Sequence, residues 1–170
     1  MSEETAGAPD DVLRPDQDAF RRTLGQFATG VTIITAVSDG EPAGVAANSF
    51  TSVSLDPPLV LFCVARTSTT WPRIEKARKF AVNILGEHQE ELSRLFATKG
   101  ADRFKHLNYS PYRTGSPVIH DALAFVDCET VAEHDAGDHV IVVGRVVKLG
   151  YASEGKPLLF YRGGYGHFES

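Results

Sequence analysis

The chain has 170 residues, 42% of them hydrophobic and 23% charged, and a formal net charge of -5. That length suits one domain able to bury a core without disulfides or a structural metal, and it leaves no room for a nicotinamide-binding Rossmann domain beside a separate substrate domain. The acidic balance argues against nucleic acid as a partner. No apolar run approaches the roughly 18 residues of a membrane span. The opening MSEETAGAPDDVLRPD lacks the basic and apolar regions of a signal peptide. The two cysteines, Cys63 and Cys128, lie in apolar stretches and read as buried thiols of a cytoplasmic protein.

Residues 1–15, rich in Glu, Asp, Ala and Pro, read as a disordered acidic tail ahead of a single domain over 16–170. Asp16 is an N-cap for a helix in which Phe20, Leu24 and Phe27 recur at helical spacing, ending near Gly30. Residues 31–37 are β-branched and run into Ser38-Asp39-Gly40, so with 44–47 they predict a hairpin. Asp56-Pro57-Pro58 is rigid punctuation, because proline fixes its own φ and restricts the residue before it. The apolar run 59–65 then reads as a strand buried on both faces. Ser68 can cap a short helix carrying Trp71 and Ile74. Residues 80–85 alternate as a strand with Phe80, Val82 and Ile84 on one side, and 88–96 are helical with Leu92, Leu95 and Phe96 as the buried stripe. Residues 98–120 are polar and rich in turn formers, a long loop of the kind that often carries function. Two long strands follow, about 122–134 and 139–149, joined around Ala136-Gly137-Asp138, and the chain closes with 158–161 and a Gly-rich end. Helices do not alternate with strands, so the class is mainly β. An antiparallel barrel or Greek-key sheet with outer helices fits, and an open α+β sandwich satisfies the same periodicity.

Three clusters have chemical potential. Asn48 to Leu55 gathers one amide and four hydroxyls beside several backbone donors, which suits a planar heterocycle with polar edges, a phosphate, or nothing more than a Ser/Thr-rich connection. Arg66-Thr67-Ser68-Thr69-Thr70 opens a helix and suits an anion, although helix capping by Ser68 alone also accounts for it. His139, at the mouth of a long strand, can donate a hydrogen bond or carry charge near neutral pH, or stand solvated in a hairpin. His134 and His139 make a poor metal pair without a third ligand, so no metal is expected. GxSxG, HExxH, P-loop and CxxC patterns are absent, and Gly163-Gly164-Tyr165-Gly166 does not follow a strand into a helix as a dinucleotide fingerprint would.

Over about residues 16–168 the sequence resembles the flavin reductase family of FMN-binding split barrels, the small reductase components of two-component flavin monooxygenases. The resemblance rests on Phe27-Ala28-Thr29-Gly30-Val31-Thr32-Ile33, on the stretch from Gly44 through Ala47-Asn48-Ser49-Phe50-Thr51-Ser52-Val53-Ser54 to Leu59, and on Arg66 to Thr70. Asp102-Arg103-Phe104, Gly137-Asp138-His139 and Tyr161-Arg162-Gly163-Gly164-Tyr165 complete it. It implies an antiparallel split β-barrel, a homodimer with flavin near the subunit interface, and hydride transfer from NADH or NADPH to FMN or FAD. The reduced flavin would pass to a partner monooxygenase. It further implies that Ala47, Asn48 and Ser49 approach the ribityl and phosphate side, and that Ser52, Val53 and Ser54 lie along the isoalloxazine edge. Ser68 and Thr70 would bind phosphate, Arg103 and Phe104 flank the flavin, His139 serve the nicotinamide side and Tyr165 stand near the rings. A flavin carrier or sensor without rapid turnover, and a split-barrel FMN oxidase of a small molecule, are the alternatives.

Overall fold

A computed structural model describes residues 14–170, so most of the expected acidic tail lies outside the described residues. Seven antiparallel strands form the main sheet: β2 (Thr32–Ser38), β3 (Glu41–Ala47), β4 (Phe50–Leu55), β5 (Pro58–Ala65), β6 (Lys79–Ile84), β9 (Ala124–Ala136) and β10 (His139–Tyr151). Their spatial order is β3-β2-β6-β9-β10-β5-β4. The two edge strands, β3 and β4, are joined only by Asn48-Ser49, so the sheet has to curl until its edges meet. The result is an antiparallel split β-barrel with the split at that junction. The remaining strands form two small sheets, β1 (Thr29–Gly30) with β11 (Leu158–Tyr161) and β12 (Gly164–His167), and β7 (Tyr109–Pro111) with β8 (Pro117–Ile119).

Strand alternation divides the barrel into an inner and an outer face. Ile34, Phe62, Phe80, Cys128 and Val142 point inward and are buried together. Phe62 meets Phe80 edge-on at 5.0 Å between ring centroids. Helix α2 (Trp71–Ala77) adds Trp71 and Ile74 to this core. Gly144 is required here, since a Cβ would lie 2.4 Å from the Phe80 ring. The thiol of Cys128 is pushed up to about 12 by burial, with the neighbouring Asp127 charge adding to it.

Outward-facing residues of β2 and β6 meet a second layer. Ile33, Leu85, Phe96, Ile119 and Leu158 form a separate buried cluster between the barrel, α3 (Glu90–Ala97) and the small sheets. Here Asn83 Nδ2 donates to Ile33 O at 3.1 Å, while Asn83 Oδ1 accepts from Ile119 N at 2.8 Å. Asp127, fully buried on β9, accepts from Thr114 N at 2.9 Å and from the Thr114 hydroxyl. The 108–120 segment is therefore stitched to the barrel through side chains. Buried polar groups of this kind must be paired or they destabilise the fold.

Several expectations change. Residues 98–120 are not one loop but contain β7 and β8, whose hydrogen bonds were hidden by a polar, proline-marked sequence. The Ser/Thr-rich stretch is largely a strand, β4, because an edge strand tolerates polar side chains on its open side. The 59–65 run is buried on one face only: Val60, Phe62 and Val64 are buried, whereas Leu59, Leu61, Cys63 and Ala65 are half-exposed. An antiparallel sheet needs only one face in a core. Cys63 is accordingly only half-buried. Helix α1 (Gln17–Leu24) is capped by Asp16, whose carboxylate accepts from Ala19 N at 2.8 Å, and it stops at Gly25 rather than near Gly30. Phe20 and Leu24 have the right period yet face outward, 59% and 52% exposed, and Phe27, beyond the helix, is 76% exposed. In α3, Phe96 is buried but Leu95 is exposed. Among the described residues no helix is long and apolar enough to cross a membrane.

Candidate functional site

The outer side of β3 carries two neighbouring cavities. Pro42, Ala43 and Gly44 line the first, about 250 Å³, together with Thr70, Arg73, Arg103 and Phe104. Ala46, Ala47 and Asn48 line the second, about 240 Å³, with Ser93, Ala97, Phe160 and Tyr165. The 98–104 segment that follows α3 borders the first, and α3 itself borders the second. Gly44 permits the close fit, because a Cβ there would lie 2.6 Å from the Phe96 ring and 3.2 Å from that of Phe104.

The first cavity is basic and hydroxylated. Arg103 Nη1 donates to Gly44 O at 2.6 Å and to Thr70 Oγ1 at 3.1 Å, and Nη2 donates to Thr98 O at 2.9 Å. Its Nε is buried without a partner among the described residues. Burial lowers the Arg103 pKa from the ordinary guanidinium value, which still leaves the group charged. A half-buried cation with one orphaned donor, beside a threonine hydroxyl and a second arginine, fits an anionic group such as a flavin phosphate. Phe104 contributes packing: its ring stands edge-on to Phe96 at 5.3 Å and to Tyr109 at 5.7 Å.

The second cavity is more apolar, with a polar corner. Tyr165 Oη and Ser93 Oγ are 2.8 Å apart, and the Arg94 guanidinium lies over the Tyr165 ring at 4.7 Å. Next to it, β4 changes register against β5 between Ser52 and Ser54, so Val53 is the extra residue of a bulge. Ser52 and Val53 are exposed, and this edge of β4 pairs with no strand among the described residues. The bulge thus leaves backbone groups of this stretch free to meet a ligand.

Other expected site residues are spoken for. Ser49 donates its hydroxyl to Cys63 O at 2.8 Å and accepts from Cys63 N at 3.2 Å, closing the barrel corner. Ser68 accepts from Thr70 N at 3.3 Å and Trp71 N at 3.2 Å, so it caps α2 and has only its hydroxyl proton left to offer. His139 stands apart at the start of β10, paired in register with Ala65, with Nδ1 2.7 Å from Asp138 Oδ1. That hydrogen bond holds the Asp138 carboxyl below its ordinary value. In all, Thr70, Arg103 and Phe104 share one cavity, Ala47, Asn48 and Tyr165 share the other, Ser52 to Ser54 border the split, and His139 lies at a separate turn. Sequence reasoning missed Arg73 and Ser93. A serine on the buried stripe of a helix was the available signal for the second.

Residues 24–169 match the model of the flavin reductase like domain. A flavin reductase of Pseudomonas putida is 49% identical over 154 residues, spanning 90% of this chain and 91% of that protein. The reductase subunit HsaB of a flavin-dependent monooxygenase of Mycobacterium tuberculosis is 46% identical over 152 residues, spanning 88% and 81%. The NADH:FAD oxidoreductase SgcE6 of Streptomyces globisporus, solved with NAD and FAD fragments, superposes with a TM-score of 0.88 at 37% identity, covering 94% and 97%. With a split barrel of the same form and near-complete coverage, the chain belongs to the flavin reductase family and is a flavin oxidoreductase.

Proposed function

We propose that the chain uses NADH or NADPH to reduce FMN or FAD, works as a homodimer, and supplies the reduced flavin to a partner monooxygenase. The observation that carries this reading is the pair of cavities along β3. One is basic and hydroxylated and takes a phosphate, and its more apolar neighbour takes a ring system. A bound flavin supplies the redox chemistry, accepting a hydride from reduced nicotinamide. The protein's task is then to position and stabilise.

Arg103 and Thr70 hold the phosphate end, with Ser68 contributing its free hydroxyl proton. Ala47, Asn48 and Tyr165 wall the ring side. The bulge at Ser52 to Ser54 offers backbone N–H groups to the negative charge that accumulates on the ring edge, stabilising it without a side-chain cation. His139 orients the nicotinamide. The outer face of β5 and β10, half-exposed and apolar, is where a second copy docks, which brings the partner's surface to the open edge of β4. The names of the relatives support both the nicotinamide donor and the monooxygenase acceptor.

The test is anaerobic mixing of the protein with each nicotinamide and flavin pair, following loss of both absorbances. Catalysed loss with at least one pair is expected, and none above the uncatalysed rate overturns the reading in favour of a flavin carrier. In His139→Ala, nicotinamide KM rises about tenfold, equivalent to roughly 1.4 kcal/mol, while flavin affinity is largely kept. Unchanged nicotinamide kinetics remove His139 from its role.

A further inference from the structure

Arg66 is the first residue after β5, and the sequence suggests that it faces an anion. The structure turns it elsewhere. Its peptide N–H donates to Asp138 O at 3.0 Å, Nε donates to Gly137 O at 3.1 Å, and Nη2 reaches the Asp135 carboxylate. Gly137 and Asp138 form the β9–β10 turn and Asp135 lies at the end of β9, so all three acceptors sit at the connection that delivers His139. Gly137 makes that turn with φ +64°, a left-handed conformation that favours glycine. His139 itself pairs with Ala65, the residue before Arg66. The ladder therefore sets the register of His139, and Arg66 holds the turn beyond the end of the ladder.

The tie adds to the β9–β10 ladder, which runs to the Ala136–His139 pair and leaves Gly137 and Asp138 as a two-residue tip. Ala136, Gly137 and Asp138 are exposed, and the Asp138 side chain contacts only its neighbour His139 among the described hydrogen bonds. The Arg66–Asp135 pair is 45% and 87% exposed at its side chains, and an ion pair so wet contributes little by itself. The peptide N–H bond to Asp138 O is one that any residue but proline makes at this position, so the side chain's own hold on the turn backbone is the Nε bond to Gly137 O. Arg66 also lies two residues before Ser68, in the loop that leads into α2 and the Thr70–Arg103 cavity. It is the link between the loop assigned to the flavin phosphate and the turn assigned to the nicotinamide.

We propose that Arg66 is a positioning residue for nicotinamide use, its guanidinium clamping the Gly137-Asp138 tip and the end of β9 so that His139 is presented at a fixed place at the start of β10. The proposal rests on the role given to His139 above. Arg66 touches neither reactant. Its rigid planar fork suits the task, because it reaches a carbonyl and a carboxylate at once, whereas a lysine is a compact ammonium on a flexible stem.

The experiment measures steady-state KM for flavin and nicotinamide, and kcat, in Arg66→Ala, Arg66→Lys and the double variant with His139→Ala. Arg66→Ala is expected to raise nicotinamide KM five- to tenfold with flavin KM within about twofold of wild type. Arg66→Lys recovers part of the loss. The double variant is no worse for nicotinamide than His139→Ala alone, since both changes remove the same contact. A merely structural arginine would instead affect flavin and nicotinamide alike and would add to His139→Ala. Should Arg66→Ala fail to fold, Arg66→Lys and Arg66→Gln carry the same comparison. An active, His139-dependent enzyme indifferent to Arg66 overturns this inference alone. An active enzyme indifferent to His139 overturns it together with the reading it rests on.

Discussion

The two halves of the barrel's outer face differ sharply, although the same strands build both. Over β2, β6 and β9 the face is covered: Ala81, Asn83 and Asp127 are fully buried beneath the 108–120 segment. Over β10, β5 and β4 it is bare: Leu61, Cys63, Ile141 and Val143 are half-exposed, and Leu55 is 95% exposed. The covered half keeps its layer with buried polar bonds. The bare half is apolar without such bonds, which is how a surface looks when another protein surface completes it. One face is finished within the chain, and the other is the surface proposed above for a second copy.

Leu61→Arg breaks this contrast most severely. A charge placed in a surface buried by a second copy costs about 3–5 kcal/mol when it finds no partner, so light scattering or sedimentation should show dimer turned to monomer. If the half is truly free, the same change lies within about 0.5 kcal/mol of neutral and the assembly state does not move. A variant that stays dimeric with unchanged stability refutes the proposed interface.

Asp127→Asn tests the covered half. The carboxylate accepts two bonds from Thr114, and an amide offers a donor where an acceptor is needed. A buried group left unsatisfied costs about 1–3 kcal/mol. The expected result is local opening of 108–120 before the barrel unfolds. Proteolysis or hydrogen exchange should show this segment losing protection while the core strands keep theirs. Cooperative loss of protection everywhere would mean that the two layers are one unit.

Much of the barrel was legible in the sequence, and its reasons are local. The strands at 31–37, 80–85 and the two long ones announce themselves through β-branched alternation. The 38–40 turn, where Asp39 and Gly40 both take positive φ, does so through its residue types. What stayed hidden is non-local. Nothing local puts β10 between β9 and β5, or tells that β3 and β4 become opposite edges. The second layer was hidden for another reason: its strands are three residues long and set in a polar, proline-marked stretch, so periodicity has too little to read. Asp127 between Val126 and Cys128, and Asn83 between Val82 and Ile84, were the available signals, since a polar residue on a buried strand needs a partner. For the site, the motifs shared with the family pointed to Thr70 and Arg103, which one cavity brings together. They did not foretell that Ser49 would be engaged in closing a corner, whereas helix capping by Ser68 was one of the two readings its position allowed.

The smallest effect, and the finest distinction, belongs to Tyr165. Its ring walls the cavity shared by Ala47 and Asn48, while its hydroxyl meets Ser93, which is 1% exposed. Tyr165→Phe keeps the wall and removes the hydroxyl. Ser93 then loses its partner, at a cost of about 1 kcal/mol, and thermal unfolding should fall by a few degrees at most. If the hydroxyl also fixes the ring against the flavin, flavin KM rises about two- to threefold with kcat at saturating flavin unchanged. That pattern separates two roles that coincide in the folded chain. A fall in stability with no change in flavin KM makes Tyr165 the pin that holds β12 to α3, and confines the ring side of the site to Ala47, Asn48 and the β4 bulge. A rise in flavin KM at unchanged stability makes it part of the covered half's one working surface.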